Sequence, residues 1–361
     1  MNLSGRDVAA FVASFAIAAA LTPLVRRLAE RYRIIAQPPS VKAHALDYRA
    51  IPYLGGLAIC ASFVVVTLVI LPMSRQLAAL LLGGLILAAL GAADDVLGAV
   101  GDTRGLRPST RLIWQFVAAA VVLAGGIGII TITNPFGGAI SLAAGRFTIH
   151  LGHLRFHITP IANFFSILWI MGMVNTINFL DGLDGLASGV SAIAALVIFI
   201  LALHVGQPLV ALLAIILAGS ALGFLPYNFF PAKIFMGDSG AYFLGLTLAL
   251  LAIYSGGKLA TIGLVLGFTI IDALWAAVRR LRRGTSPFSA DREHLHHLLI
   301  QAGLSQRAAV LFLYLFAIVF GGIALGTHGT TKLAALIVLL AIMVALIASL
   351  IRLGRRKADQ A

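Results

Sequence analysis

The sequence predicts an all-α polytopic membrane protein with about eleven transmembrane helices. Three observations predict it. Hydrophobic residues make up 60% of the 361-residue chain and charged residues only 11%, with a mean hydropathy of +1.02, whereas soluble domains hold about 25% charged residues. Apolar windows recur along the whole chain with short polar stretches between them. The basic residues also segregate between alternate loops.

In order, the windows lie near residues 8–25, 54–71, 77–93, 112–132, 160–179, 185–204, 209–226, 240–255, 259–278, 308–325 and 333–351. Several fall short of the roughly 20 residues that a perpendicular span needs, so their ends are soft. The first runs from Val8 into Arg26-Arg27 without a processing-like small-residue site, and is expected to stay as a helix. An odd number of spans puts the termini on opposite sides. With the N-terminus outside, 20 of the 26 Lys and Arg residues fall on the inside loops and tail and 6 fall outside, as the positive-inside rule requires. The net charge of +13 is accordingly read as basic loops facing anionic lipid, with no nucleic acid as partner. The single cysteine, Cys60, excludes an intrachain disulfide and is read as packing. One domain, 1–361, is expected. Residues 146–158, "RFTIHLGHLRFHI", alternate apolar and polar around Leu151-Gly152, which predicts a β-hairpin on the outside. Its His150, His153 and His157 are read as a solvated strand face, because no cysteine or carboxylate accompanies them.

Carboxylates follow no sidedness rule, so they test this topology. Asp94, Asp95, Asp102, Asp181, Asp184, Asp238, Asp291 and Glu293 all fall inside, and only Asp7 falls outside. A shared site on the inner face is the simplest cause. Four stretches carry it. "GAADDVLGAVGDTRG" places Asp94 and Asp95 at the inner end of the third window, where facing lipid would be costly; the alternative is a solvated helix end. "NTINFLDGLDGLASG" sets Asn175, Asn178, Asp181 and Asp184 at three-residue intervals, so the first three share one broad helical face. Helix capping explains one or two of these, not four beside two glycines. "IFMGDSGAYFLG" puts Asp238 at a glycine-flanked helix start that suits an anion, although an ordinary cap would look the same. "RRLRRGTSPFSADREHLHHLL" combines a basic anchor with His294, His296 and His297, three histidines that cannot share one helix face. Oxygen ligands with few thiols suit a hard cation such as Mg²⁺, and Mg²⁺ beside basic residues suits phosphate-bearing substrates.

The order and spacing of "ADDVLG", "NTINFLDGLDGLASG", "IFMGDSGAYFLG" and "SPFSADREHLHHLL" resemble the polyprenyl-phosphate N-acetylhexosamine-1-phosphate transferases over nearly the whole chain. "DREHLHHLL" resembles the Asp-Arg-x-His-x-His-His form of the bacterial enzymes that transfer GlcNAc-1-phosphate, and not the Pro-x-His-His-His form of the MurNAc-pentapeptide enzymes. The resemblance implies a protein of the bacterial inner membrane, N-terminus and hairpin periplasmic, C-terminus and active site cytoplasmic. It implies a UDP-N-acetylhexosamine donor, most simply UDP-GlcNAc, an undecaprenyl or other polyprenyl phosphate acceptor, Mg²⁺ with Mn²⁺ as the alternative ion, membrane lipid as surroundings and a homodimer as one state that relatives adopt. Polyprenyl phosphate would attack the sugar-side phosphorus and UMP would leave. The alternative within the family is phospho-MurNAc-pentapeptide transfer; outside it, an ion-coupled transporter, which the absence of a two-half repeat and the edge position of the acids disfavour.

The resemblance further implies Asp238 as Mg²⁺ ligand with Asn178 as second oxygen ligand, and Asp94, Asp95 and Asp181 as catalytic carboxylates. Either Asp94 or Asp95 would be the base for the lipid phosphate. That base is chemically awkward: a phosphate monoester has its second pKa near about 6 and is largely dianionic already, while aspartate titrates near about 3.9. A covalent phosphoryl-aspartate route stays open. Asn175, Asp184, Phe235, Arg111, Lys42, His44, Arg292, His294, His296 and His297 are implied substrate contacts, with Phe235 stacking on uracil. The chain departs from relatives in "VKAHALDYRAIPYLGG", which has extra residues after His44 and Tyr53 in place of an arginine. It also departs after the aspartate pair, where "VLG" replaces a basic residue, and at Asp272, which lacks the preceding proline of relatives.

Overall fold

The computed structural model describes residues 3–36, 51–100, 105–151, 154–255, 259–282, 284 and 294–359. Among them, thirteen helices and four short strands follow one another: α1 (Gly5–Arg31), α2 (Gly56–Ile70), α3 (Arg75–Val100), α4 (Pro108–Ala124), β1 (Thr131–Thr133), β2 (Ala139–Ser141), β3 (Phe147–Leu151), β4 (Leu154–Ile158), α5 (Pro160–Leu180), α6 (Leu186–His204), α7 (Pro208–Asn228), α8 (Gly237–Tyr254), α9 (Leu259–Val265), α10 (Gly267–Arg282), α11 (Leu295–Gln301), α12 (Gln306–Gly326) and α13 (Gly329–Asp359).

Every apolar window contains a helix. Eight of them, α1, α3, α5, α6, α7, α8, α12 and α13, are long and apolar enough to cross a membrane, and the α9–α10 pair makes a ninth if taken as one bent span. The 15 residues of α2 and the 17 of α4 give lengths of about 22 and 26 Å against a hydrocarbon core of about 30 Å.

Two windows end differently from the expectation. The window at 112–132 stops being helical at Ala124, because Gly125-Gly126 follows and Gly126 adopts φ 90°, a conformation open to glycine and closed to most residues. The apolar run beyond it becomes β1, paired antiparallel with β2. The sequence reading missed this first hairpin, although "ITITNPFGG" holds the β-branched alternation and Gly137-Gly138 at positive φ that signal one. The window at 259–278 breaks at Leu266, where α9 and α10 meet at 82°. The amphipathic pattern of α10 fits that bend: Leu274, Trp275, Val278 and Leu281 are exposed while Asp272 and Arg280 are buried. The expected hairpin forms from β3 and β4, closed by Leu151↔Leu154; its turn residues 152–153, with His153, lie outside the described residues.

The centre of the bundle is α8, packed between α3 and α5 and touched by α2; 89% of its most apolar window is buried. Glycines make these crossings possible. A Cβ on Gly56 would lie 2.0 Å from the Gly240 nitrogen, and one on Gly91 would lie 2.3 Å from the Asp238 carbonyl carbon and the Ser239 nitrogen. Small residues that let backbones touch are the usual adhesive between membrane helices. Gly91→Ala is therefore expected to destabilise the solubilised protein by about 1–3 kcal/mol through overpacking, whereas Gly172→Ala, with nothing within 4 Å, should be neutral. Thermal unfolding in detergent compares the two, and equal midpoints would mean that α3 and α8 can separate at no cost.

Candidate active site

The N-terminus of α8 is the point to which the motifs converge. Gly237, at φ 75°, turns the chain into the helix. The first turn has free N–H groups, and Asp95 reaches across from α3 to accept them: Asp95 Oδ1 takes the Asp238 N–H at 2.9 Å and Oδ2 takes that of Ser239 at 3.4 Å. Asp95 is thus a cap supplied by another helix. The adjacent Asp94 faces a different partner. Arg111, in the first turn of α4, places Nε 2.7 Å from Asp94 Oδ2 and Nη2 3.0 Å from Oδ1, and the Leu106 N–H donates to Oδ1 at 2.6 Å. Because consecutive residues on a helix point about 100° apart, the Asp-Asp pair serves two elements at once.

Asp238 sits between them. Its Oδ1 accepts from Asn178 Nδ2 at 2.7 Å, and its Oδ2 accepts from the Tyr242 hydroxyl at 3.1 Å with Arg111 Nη1 3.9 Å away. The side chain keeps a quarter of its surface exposed, so the carboxylate is both held and reachable. Asp181, just beyond α5, completes the acidic group: the Gly237 N–H donates to it, yet burial, reinforced by the Asp238 and Asp184 charges, pushes its carboxyl up to about 8. Asp184 faces away, accepting from the Ala232 N–H at 3.0 Å and from Gln306; burial raises its carboxyl too.

Asn175 does not join Asn178 at Asp238. It exchanges hydrogen bonds with Gln115 on α4, donating to Oε1 at 2.8 Å, and also donates to the Met171 carbonyl. The Asp181–Gly185 turn is held by residues the motif reading passed over. Asn228, at the end of α7, accepts from the Gly185 N–H and Ser188 hydroxyl and donates to the Ile234 carbonyl, and Tyr314 on α12 donates to the Gly185 carbonyl. "PYNFFPAK" contains Asn228 in plain view, but an asparagine ending an apolar run signals a helix end as readily as a strut.

The histidines assemble over this turn. His294 Nδ1 lies 2.9 Å from Asp272 Oδ2, the Leu295 N–H donates to Asp272 Oδ1, and Arg280 stands 3.4 Å from His294 Nε2. Asp272 thus caps α11 and orients His294, whose ring stacks on Phe179. His296 is buried against Gly182, where a Cβ would fall 2.3 Å from its Nε2. His297 is half-buried, its ring 4.3 Å from that of His296. Burial, with His297 and His294 adding to it, lowers the His296 pKa to about 3, so its imidazole is neutral at physiological pH. With the unfolded value near about 6.5, the unfolded chain binds the extra proton first, and stability contributed by the neutral ring is lost as pH falls from about 6.5 towards 3. Wild type should accordingly lose more thermal stability between pH 7 and pH 5 than His296→Gln; parallel losses would show that the ring does protonate in place.

Phe235 lies at the rim, its ring 5.6 Å from that of Tyr53, and the two segments are tied by the Gly55 N–H to the Phe235 carbonyl and the Phe235 N–H to the Pro52 carbonyl. Lys42, His44 and Arg292 lie outside the described residues, as do Asp102, Asp291 and Glu293. The site therefore brings together Asp94, Asp95, Asn178, Asp181, Asp238 and Arg111, sets the histidine cluster beside them across Gly182, and leaves Asn175 and Asp184 as struts of the surrounding turns.

Comparison with known proteins places this arrangement. The glycosyl transferase family 4 pattern matches residues 77–256, from α3 through α8. The chain is 33% identical to a Bacillus subtilis (strain 168) protein named "Probable undecaprenyl-phosphate N-acetylglucosaminyl 1-phosphate transferase", over 87% of this chain and 83% of that one. It is 34% identical to the decaprenyl-phosphate N-acetylglucosaminephosphotransferase of Mycolicibacterium smegmatis (strain ATCC 700084 / mc(2)155), over 94% of this chain and 87% of the relative. It is 29% identical to the phospho-N-acetylmuramoyl-pentapeptide-transferase of Symbiobacterium thermophilum, over 83% of this chain and 88% of the relative. With identity sustained across nearly the whole length of these relatives, and with the matched region bounding the Asp94–Asp238 constellation, the chain belongs to glycosyl transferase family 4, among the polyprenyl-phosphate N-acetylhexosamine-1-phosphate transferases.

Proposed function

We propose that this chain transfers GlcNAc-1-phosphate from UDP-GlcNAc to undecaprenyl phosphate or a similar polyprenyl phosphate, releasing UMP and forming the polyprenyl-diphosphate-linked sugar that starts an envelope polysaccharide. The observation that carries the reading is Arg111 bridging Asp94 and Asp238 at one end of the bundle. Joining two anions is chiefly a problem of charge, and a guanidinium anchored on one side and open towards the reachable carboxylate is built to meet it. The relatives named for GlcNAc transfer and the "DREHLHHLL" form favour this donor over MurNAc-pentapeptide.

The residues fit a Mg²⁺ ion. Among the described residues no group of three His, Cys, Asp or Glu encloses a cation by itself; Mg²⁺ does not need one, since it keeps several waters and binds through one or two carboxylates plus substrate phosphates. Asp238 would hold it, with Asn178 as neighbouring oxygen donor. When bound, the ion neutralises diphosphate charge and stabilises leaving UMP. Arg111 supplies fixed positive charge next to it. Asp94, with both oxygens on Arg111, acts as the anchor of that charge, and Asp95 acts as the cap that sets the Asp238 backbone. The acceptor, already a dianion, needs neither as a base. Asp181, whose carboxyl is raised by burial and by the Asp238 and Asp184 charges, accepts the Gly237 N–H and so helps to set the turn that leads into Asp238. Neutral His296 orients phosphate or sugar oxygens by hydrogen bonding rather than by charge, alongside His294 and His297, with Arg292, Lys42 and His44 contributing from the adjoining loops.

In this reading α2, α4 and the bent α9–α10 pair also cross the bilayer, making eleven spans, with the N-terminus periplasmic and the site on the cytoplasmic face of a bacterial inner membrane. The 20-to-6 division of basic residues supports that orientation. The test is UMP release by purified protein in detergent with Mg²⁺ and undecaprenyl phosphate, offering UDP-GlcNAc or UDP-MurNAc-pentapeptide. Lipid-dependent UMP from UDP-GlcNAc alone is expected; UMP from the pentapeptide donor alone would overturn the donor assignment.

A further inference from the structure

Tyr242 stands one helical turn below Asp238 on α8 and is 1% exposed. Its hydroxyl donates to Asp238 Oδ2 at 3.1 Å, while Asn178 donates to Oδ1 at 2.7 Å. A buried phenol needs an acceptor, and here it takes an oxygen of a carboxylate in the centre of the site that remains a quarter exposed. The two oxygens are thus gripped by different helices, Oδ1 from α5 and Oδ2 from α8 itself. The carboxylate plane cannot rotate without giving up one of the two hydrogen bonds. Each oxygen carries a hydrogen-bond donor, and Oδ2 also faces Arg111 Nη1 at 3.9 Å.

This matters for a cation. Mg²⁺ demands near-ideal octahedral geometry and takes carboxylate oxygens singly, whereas Ca²⁺ is larger, tolerates irregular geometry and readily accepts both oxygens of one carboxylate. A carboxylate with both oxygens already engaged suits the first mode and resists the second. We propose that Tyr242 is a positioning residue that makes Asp238 selective for Mg²⁺ over Ca²⁺, by holding Oδ2 and so disfavouring bidentate capture. The proposal rests on the reading that Asp238 is the metal ligand. It goes beyond that reading in assigning ion choice to a buried side chain that touches neither ion nor substrate.

Tyr242→Phe tests it, because the ring that fills the core is retained and only the donor is lost. Mn²⁺ bound to the full chain in detergent without substrates is followed by electron paramagnetic resonance and displaced with Mg²⁺ or Ca²⁺. The expected result is that the Mg²⁺/Ca²⁺ preference falls by about tenfold, the low end of the worth of one hydrogen bond to a charged acceptor. The Mg²⁺ concentration for half-maximal UMP release should rise in parallel. Tyr242→Leu, which removes the donor with different packing, should shift the preference in the same direction and stands in if the first variant does not fold. An unchanged Mg²⁺/Ca²⁺ preference in folded Tyr242→Phe overturns the proposal. Asp238→Asn separates the two failures: if it leaves Mn²⁺ binding intact, the metal reading of Asp238 falls and this proposal falls with it.

Discussion

Asp238→Asn is expected to lower UMP release from UDP-GlcNAc by about 10³-fold, the scale on which removal of a preorganised charge-stabilising group acts, while leaving the thermal unfolding midpoint near that of wild type. The two halves of this expectation come from one geometry. The amide keeps the size of the carboxyl and one oxygen, so Asn178 still finds an acceptor and the α3–α8 crossing at Gly91 is untouched. What disappears is negative charge at the acidic side chain that Arg111, Asn178 and Tyr242 all approach. UMP release measured beside thermal unfolding checks both. A loss of tenfold or less in a folded variant would remove Asp238 from the centre of the chemistry and shift attention to Asp181.

The second large effect concerns Arg111 and separates structure from chemistry. Asp94 is 4% exposed and has both oxygens on Arg111. Arg111→Met strands that carboxylate, and breaking a buried pair from one side costs about 3–5 kcal/mol; the partial exposure of Arg111 puts the expectation at the low end of that range. Adding Asp94→Asn removes the stranded charge and keeps an acceptor for the Leu106 N–H, so the double variant should recover most of the lost stability. Its turnover should stay at least about 10²-fold below wild type, because the cation that in the proposed reaction faces the two substrate anions is still missing. Recovery of activity together with stability would mean that Arg111 serves only to hold α4 against α3.

These expectations differ in how far they depend on structure. That Asp94, Asp95, Asp181 and Asp238 belong together is legible in the sequence, since each lies at the end of an apolar window and, on the expected topology, those ends share a side. Their division of labour is not. Asp94 and Asp95 are neighbours in every local respect, and only the approach of α4 to one and α8 to the other makes the first an ion-pair partner and the second a cap. Asn175 and Asn178 share a helical face, yet α4 takes one and α8 the other. Tyr242 and Gln115 carry no local signal, because inside an apolar helix a polar side chain looks like an isolated exception until its partner is known, and Asn228 reads as a helix end.

The order of the apolar helices, the β3–β4 hairpin and the gathering of the acidic motifs are properties of each segment with its solvent, and a chain 60% hydrophobic states them without a fold. Where the 112–132 window ends, why the 259–278 window bends by 82°, and which oxygen meets which donor at Asp238 are settled only by tertiary contact. A hydrocarbon interior rewards any apolar surface alike and so specifies no neighbour. Hydrogen bonds and glycine-to-backbone contacts act over a few ångströms, and they select one arrangement of helices from the many that composition allows.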